Sequence, residues 1–243
     1  MKIGDVQIKP GHPVLVGVVA DRLWEKAAWN SADILEIRLD RLWSLPGNEG
    51  IPPEIEESGK FICGVKEKLK KPVILTIRRP EENEAPFPEN LPDEKRLPFF
   101  QSLIPAADAV DIEVDSVIAQ KVIRMAARAK KPVIGSYHNF RHLPPDKTLC
   151  EKLGKAKNLG ADIFKVAALT ETPKEMVRFL SFCQLFSSRH LICAVAMGKR
   201  SFLFRVAAPL FGSVLTYASL TGATAPGQPD VETLASLLRQ FYS

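Results

Sequence analysis

Eight short, β-branched runs recur along this 243-residue chain with stretches of helical character between them, an alternation that few folds accommodate. The runs are Val14–Ala20, Ala32–Asp40, Pro72–Arg78, Asp108–Val114, Pro132–His138, Ala161–Ala168, Leu191–Met197 and Val214–Leu220. Helical periodicity marks Ser116–Lys130, Lys147–Leu159, Pro173–Ser187, Phe202–Phe211 and a last segment from about Val231 to Tyr242. Parallel strands need a crossover between them, usually a helix, so this order predicts a parallel sheet. Eight repeats in roughly 250 residues fit a closed (β/α)8 TIM barrel better than an open doubly wound sheet. The glycine-rich turn that nucleotide-binding sheets carry after their first strand is absent from the sequence, as is a phosphate-loop pattern. Residues 1–243 read as a single domain, with the first dozen residues forming an extra strand or hairpin that closes one end of the barrel. The proline- and acid-rich stretches Pro46–Pro53 and Pro80–Pro92 read as loops, too short for domain linkers.

Composition excludes several classes. Hydrophobic content of 46% with 25% charged residues is that of an ordinary globular protein. The net charge of +5 is spread along the chain, and its densest cluster, Lys66, Lys68, Lys70 and Lys71, reads as a solvated helix end. No basic stripe or binding motif points to nucleic acid. No apolar run reaches the length of a membrane span, and the N-terminus has no apolar signal core, so the cytoplasm is the expected compartment. Cys63, Cys150, Cys183 and Cys193 lie too far apart for a zinc site and read as reduced, mostly packed thiols.

Alternation within the strands carries the functional signal, because residues two apart share a face and one face of a barrel strand points inward. Glu36, Arg38 and Asp40 share a face opposite Leu35, Ile37 and Leu39. Thr76 and Arg78 share a face in the next run, and Asp111 and Glu113 in the one after. Charges on three strands would line the interior, either as a salt-bridge network or as a site. Lys165, in Gly160-Ala161-Asp162-Ile163-Phe164-Lys165-Val166-Ala167-Ala168, interrupts a buried strand. Such a lysine either reaches solvent or a carboxylate, or serves as the desolvated amine that forms Schiff bases with carbonyl compounds. His138 falls at the C-terminal end of the preceding strand, where barrel enzymes keep their active sites, and strands about 5 Å apart let the two side chains meet. A lysine nucleophile beside a histidine acid/base follows. His12, His142 and His190 lack that setting and read as bystanders.

With these residues in place the chain resembles the type I 3-dehydroquinate dehydratases over nearly its whole length. Glu36-Ile37-Arg38-Leu39-Asp40 is similar to that family's Glu-x-Arg-x-Asp strand, Thr76-Ile77-Arg78 to its Thr-x-Arg, and Asp111-Ile112-Glu113 to its acidic fourth strand. Ser136-Tyr137-His138-Asn139-Phe140 resembles the strand of the catalytic histidine, and Gly160–Ala167 that of the Schiff-base lysine. Met197, Arg205, Phe211-Gly212-Ser213 and Ala225-Pro226-Gly227-Gln228 follow at matching spacings. The resemblance implies an imine between Lys165 and the C3 ketone of the substrate, with His138 removing the C2 proton and protonating the departing C1 hydroxyl. It implies that Arg205 clamps the substrate carboxylate, that Glu36, Arg38 and Arg78 bind ring hydroxyls or tune Lys165, and that Met197 packs on the ring. Thr224 and Gln228 would sit on a closing loop. It implies no metal or organic cofactor, and a homodimer. Four departures stand out: Arg79–Pro86 lacks the usual Glu-Gly-Gly, leaving Glu82 as the equivalent acid; Thr224 stands where serine is usual; Asn139 stands where aspartate is frequent; and Val195 replaces a second methionine. Class I aldolases share the lysine logic but grip phosphate with a glycine loop, for which Phe211-Gly212-Ser213 is a poor match. A non-catalytic barrel would be expected to lose reacting residues first, and His138, Lys165 and Arg205 are all present.

Overall fold

Every expected run becomes a strand, and all eight join one parallel sheet. The computed structural model describes residues 1–20, 29–43, 54–83, 91–220 and 227–242. A short antiparallel ribbon, β1 (Lys2–Ile3) and β2 (Val6–Gln7), precedes the barrel strands β3 (Val14–Val19), β4 (Ile34–Arg38), β5 (Val73–Thr76), β6 (Ala109–Glu113), β7 (Val133–Asn139), β8 (Ile163–Leu169), β9 (Leu191–Met197) and β10 (Leu215–Ser219). Pairing runs β10-β3-β4-β5-β6-β7-β8-β9, parallel throughout. The remaining seam, β9 to β10, is held by an isolated parallel bridge between Ile192 and Ser213. There the Ser213 hydroxyl accepts from Ala194 N at 3.1 Å and donates to Leu215 O at 3.0 Å, so a side chain supplies what the short ladder lacks. The result is a nearly closed (β/α)8 barrel.

Helices follow the strands: α1 (Leu39–Trp43), α2 (Ile55–Leu69), α3 (Asp93–Leu103), α4 (Ala119–Arg128), α5 (Asp146–Leu159), α6 (Pro173–Ser187), α7 (Ser201–Ala207) and α8 (Val231–Tyr242). In α4 the buried residues Ala119, Val122, Ile123 and Ala126 repeat at helical spacing and form the face packed on the sheet. The start of α6 is fixed by a capping box, in which the Thr172 hydroxyl accepts from Glu175 N while the Glu175 carboxylate accepts from Thr172 N, with Pro173 at the first helical position. Gly160, at φ 89, takes the left-handed conformation that ends α5.

The barrel floor has two devices. Ile3 and Ile8 are buried among the inward residues Val14, Val16, Ile34, Ile74, Ala109, Ile134, Ile163 and Leu215, so the N-terminal ribbon plugs this end as the sequence predicts. Asp33, Asp108 and Asp162, each just ahead of a strand, accept a backbone N–H at the start of the preceding strand, from Leu15, Val73 and Val133 at 2.8, 2.9 and 2.8 Å. Exposed N–H groups at the lower rim of alternate strands are thereby satisfied.

Several boundaries and surroundings differ from the sequence reading. Strand β4 stops at Arg38, and Asp40 lies in α1, where it is still buried. The segment Phe202–Phe211 becomes α7 followed by a 3-10 turn, Ala208–Phe211, at the point where Pro209 interrupts the α-helical hydrogen bonds. Lys66 is not a solvated helix end: its ammonium donates to Asp108 at 2.9 Å and to Ala106 O at 3.1 Å. Of the four thiols only Cys183 and Cys193 are packed, while Cys63 and Cys150 are exposed. The loop Pro46–Pro53 lies outside the described residues, and Pro80–Glu82 forms a 3-10 turn.

Candidate active site

Below mid-barrel the inward residues are aliphatic; above it they are charged, and register explains how they meet. Ser136 pairs with Lys165 and Lys165 with Cys193, whereas His138 pairs with Ala167. Lys165 therefore starts one inward layer below His138, not beside it at the strand end, and its long side chain rises toward the mouth. It is 4% exposed, yet it is not the unpaired amine that desolvation alone would require. Its Nζ donates to Asp111 Oδ2 at 3.0 Å and to Glu36 Oε1 at 3.1 Å, and it lies 4.0 Å from the centre of the Tyr217 ring. Two carboxylates thus hold its positive charge.

Those carboxylates are held in turn. Thr76 donates to Glu36 Oε1 at 2.9 Å. Arg78 Nη1 donates to Asp111 Oδ1 at 2.9 Å, to Glu113 Oε1 at 3.0 Å and to the Ser136 hydroxyl at 2.7 Å, and that hydroxyl donates to Asp111 at 2.6 Å. Burial pushes the Asp111 carboxyl upward, but Arg78 and Lys165 more than offset it and hold Asp111 well below the usual carboxylate range. Of the two roles inferred for Arg78, tuning of Lys165 through Asp111 is the one this geometry favours. Behind it Arg96, fully buried, donates to Glu113 Oε2 and to Ile77 O, each at 2.6 Å, and ties the charged cluster to α3. Arg38 makes two bonds to Asp40, at 3.0 and 2.6 Å, and one to Asn83 at 2.8 Å.

His138 is partnered by Glu82, the acid that the altered loop retains. Glu82 Oε2 lies 2.9 Å from His138 Nδ1 and accepts the His138 backbone N–H at 2.8 Å. Burial, then the negative charge of Glu113, pushes Glu82 up to about 8. Burial, then the cations Arg78 and Lys165, holds His138 well below the ordinary histidine range. The two share protons as a unit. Once the pair loses a proton near pH 8, a Glu82 carboxylate accepts from Nδ1–H and leaves Nε2 bare as a base. We therefore expect kcat/KM to rise with pH through about 8. Glu82→Gln should remove that limb from the pH–rate profile, because an amide does not titrate, and a limb unchanged in the variant would assign it to another group.

Arg205, on α7, is 1% exposed. Its Nη1 donates to Tyr217 O at 2.9 Å, while Nε and Nη2 have no partner and no carboxylate pairs with it among the described residues. Burial lowers it to about 10, so it remains a cation at neutral pH. A buried guanidinium with one edge free is costly unless an anion arrives to meet it.

Many of these groups line one cavity at the C-terminal end of the strands, the end where barrel enzymes keep their active sites. Its walls include Glu36, Arg38, Arg78, Glu82, His138, Lys165, Met197, Arg205, Tyr217 and Gln228. Of the residues expected from sequence, Thr224 lies outside the described residues; all the others border this cavity. Sequence reasoning alone misses Tyr217, Asn83 and Arg96. Only Tyr217 left a sequence signal, as the central inward residue of its run.

A family model for type I 3-dehydroquinase matches residues 19–243. The chain is 36% identical to the 3-dehydroquinate dehydratase of Methanothermobacter thermautotrophicus over 86% of each chain, and 31% identical to that of Methanococcoides burtonii over 99% of each. Its fold is similar to the crystal structure of 3-dehydroquinate dehydratase from Geobacillus kaustophilus, with TM-score 0.85 at 25% identity over the whole of both chains. It is likewise similar to the Aquifex aeolicus structure, with TM-score 0.79 at 28% identity over 94% of this chain and 99% of that one. A buried lysine between two carboxylates, a histidine on a glutamate and an unpaired arginine sit on a barrel of matching sequence and shape, and on that footing the chain belongs to the type I 3-dehydroquinase family.

Proposed function

We propose that this protein removes water from 3-dehydroquinate to give 3-dehydroshikimate, a step of the shikimate pathway, through a Schiff base at Lys165. The observation that carries the reading is the pairing, in one cavity, of a buried lysine with a buried arginine whose free edge suits a carboxylate. 3-Dehydroquinate offers a ketone to the first and a carboxylate to the second.

Its leaving hydroxyl, on C1, is β to the C3 ketone, so elimination needs carbanion character at C2. Lys165 gives up its extra proton to Glu36, adds to C3, and expels the ketone oxygen as water to leave an iminium that draws electrons from C2. His138, in its base form, takes the C2 proton and then protonates the departing C1 hydroxyl. Loss of both from one face lets a single group serve twice. Hydrolysis of the imine frees the enone and restores Lys165. Arg38 and Gln228 are the residues we assign to the ring hydroxyls, with Met197 against the ring; Thr224 and Gln228 belong to the loop proposed to close over it. Turnover of 3-dehydroquinate, followed as the enone absorbance of the product, tests the assignment directly, and no absorbance change would end it.

Arg205→Lys keeps the charge but loses the two parallel donors. We expect kcat/KM to fall about tenfold or more, mostly in KM, since the clamp acts before and during the reaction. An unchanged kcat/KM would show that another cation holds the carboxylate.

Residues 1–243 as one catalytic domain, a homodimer and a cytoplasmic setting complete the proposal. No helix among the described residues is long and apolar enough to cross a membrane. Leu203, Leu210 and Phe241 are exposed on α7, the turn after it and α8, and supply apolar surface for a second copy. Sedimentation of a monomer at micromolar concentration would refute the dimer.

A further inference from the structure

Three buried hydrogen-bonding atoms of the catalytic cavity have no protein partner: Nε and Nη2 of Arg205 and the hydroxyl of Tyr217. Native folds leave few such groups unsatisfied, and each is costly until something arrives to bond it. The two nitrogens of Arg205 are accounted for by a carboxylate. The phenol is not.

Tyr217 sits at the centre of β10, where its backbone carbonyl accepts from Arg205 Nη1 at 2.9 Å and its ring lies 4.0 Å from Lys165 Nζ. One residue thus borders both the nucleophile and the carboxylate clamp. The acids closest to Lys165 are engaged by other donors: Glu36 Oε1 accepts from Thr76 and Lys165, and Asp111 accepts from Arg78, Ser136 and Lys165. Burial, reinforced by the negative charge of Glu36, holds the phenol well above the ordinary tyrosine range. It keeps its proton at any working pH and can serve only as a neutral hydrogen-bonding group.

Resting on the dehydratase reading above, we propose that Tyr217 is a further catalytic residue whose hydroxyl donates a hydrogen bond to the C3 oxygen of the substrate while Lys165 adds to C3. That oxygen ends two bonds from Nζ, which lies 4.0 Å from the centre of the Tyr217 ring, and the phenol is the unpartnered donor of the cavity that the carboxylate does not account for. As the nitrogen lone pair forms the new C–N bond, the π pair of the C3–O bond moves onto oxygen. Tyr217 shares its proton with the developing charge but does not transfer it. The first proton on the oxygen is the one shed by the attacking nitrogen, relayed through His138; the second is the one Lys165 gave to Glu36 before attack, and the oxygen then leaves as water. Donors aimed at an oxygen that gains charge in the transition state act on the rate of that step more than on binding.

The test is Tyr217→Phe, which keeps the ring and its contact with Lys165 and removes only the hydroxyl. Because the hydroxyl has no partner in the free protein, Tm should be unchanged or higher. Enone formation should nevertheless slow about tenfold or more in kcat. Borohydride trapping of Lys165 by 3-dehydroquinate should slow by a similar factor, because the affected step precedes proton abstraction. Trapping and turnover within twofold of the wild-type rates would overturn the role of the hydroxyl. A Tm lowered by several degrees would overturn it as well, because the loss would then report on packing. If the wild-type protein itself neither traps nor turns over 3-dehydroquinate, the dehydratase reading fails and this inference falls with it; wild-type activity shared equally by the variant removes the inference alone.

Discussion

Sodium borohydride added together with 3-dehydroquinate will inactivate this protein and attach one ligand-sized mass, and the modified residue will be Lys165. The expectation rests on selectivity, because the site offers one buried lysine at the base of the cavity while Lys66, Lys152 and Lys155 hold ion pairs at the surface. Borohydride reduces an iminium to a stable secondary amine, so a transient adduct becomes a permanent one. Lys165→Met should lower kcat on the order of 10⁴-fold or more, as expected when an obligatory nucleophile is removed. It also leaves Glu36 and Asp111 without their shared cation, and breaking a buried pair from one side costs about 3–5 kcal/mol. A variant too unstable to assay is therefore a real outcome, and trapping in the wild-type protein is the decisive arm. Full activity after treatment, with Lys165 unmodified, would sink the Schiff-base mechanism.

The sequence made the barrel legible because its signal is repeated. A buried parallel strand reads as a continuous apolar run, and eight such runs broken by helical periodicity leave one economical closure. The interior charges were legible for a related reason: Glu36, Arg38, Asp111 and Glu113 alternate with aliphatic residues, and alternation fixes a face. Alternation says nothing about height within the barrel. The stagger between strands sets that, and it places Lys165 opposite Ser136, with His138 one layer above.

What stayed hidden depends on contacts between residues far apart in the chain. Lys165 meets Glu36 across 129 positions and Asp111 across 54, so no local pattern could show that the amine is paired. Glu82 sits in a 3-10 turn whose sequence lacks the expected glycines, so the sequence offers it as the equivalent acid without showing its partner, and the structure supplies that partner, His138 Nδ1 at 2.9 Å. Arg96 was obscured by its helix: α3 contains Pro98 and has no clear apolar stripe, so neither the helix nor its buried arginine stands out. Arg205 was placed by resemblance, and the structure adds the physical reason, a cation buried without an anion.

His138→Ala should leave an enzyme that captures substrate but scarcely turns it over. Lys165 keeps its carboxylate partners in that variant, since Glu36 and Asp111 reach Nζ without help from the imidazole. Addition to the ketone can therefore proceed, with Glu36 as proton acceptor, although the relay to the leaving oxygen is poorer. Abstraction of the C2 proton has no comparable substitute. Glu82 is the nearest candidate, and burial, then the negative charge of Glu113, pushes it up to about 8, so near neutrality it is mostly protonated. Loss of a positioned acid/base typically costs on the order of 10²–10⁴ in rate, and the upper part of that range is expected because His138 acts at both C2 and C1. The adduct should then accumulate, and mass spectrometry of the variant mixed with 3-dehydroquinate should find Lys165 modified even without borohydride. The rise of kcat/KM near pH 8 should vanish along with the pair that produces it. Near-wild-type turnover in His138→Ala would transfer the acid/base role to another residue, and a variant that neither turns over nor captures ligand would make His138 essential to imine formation as well.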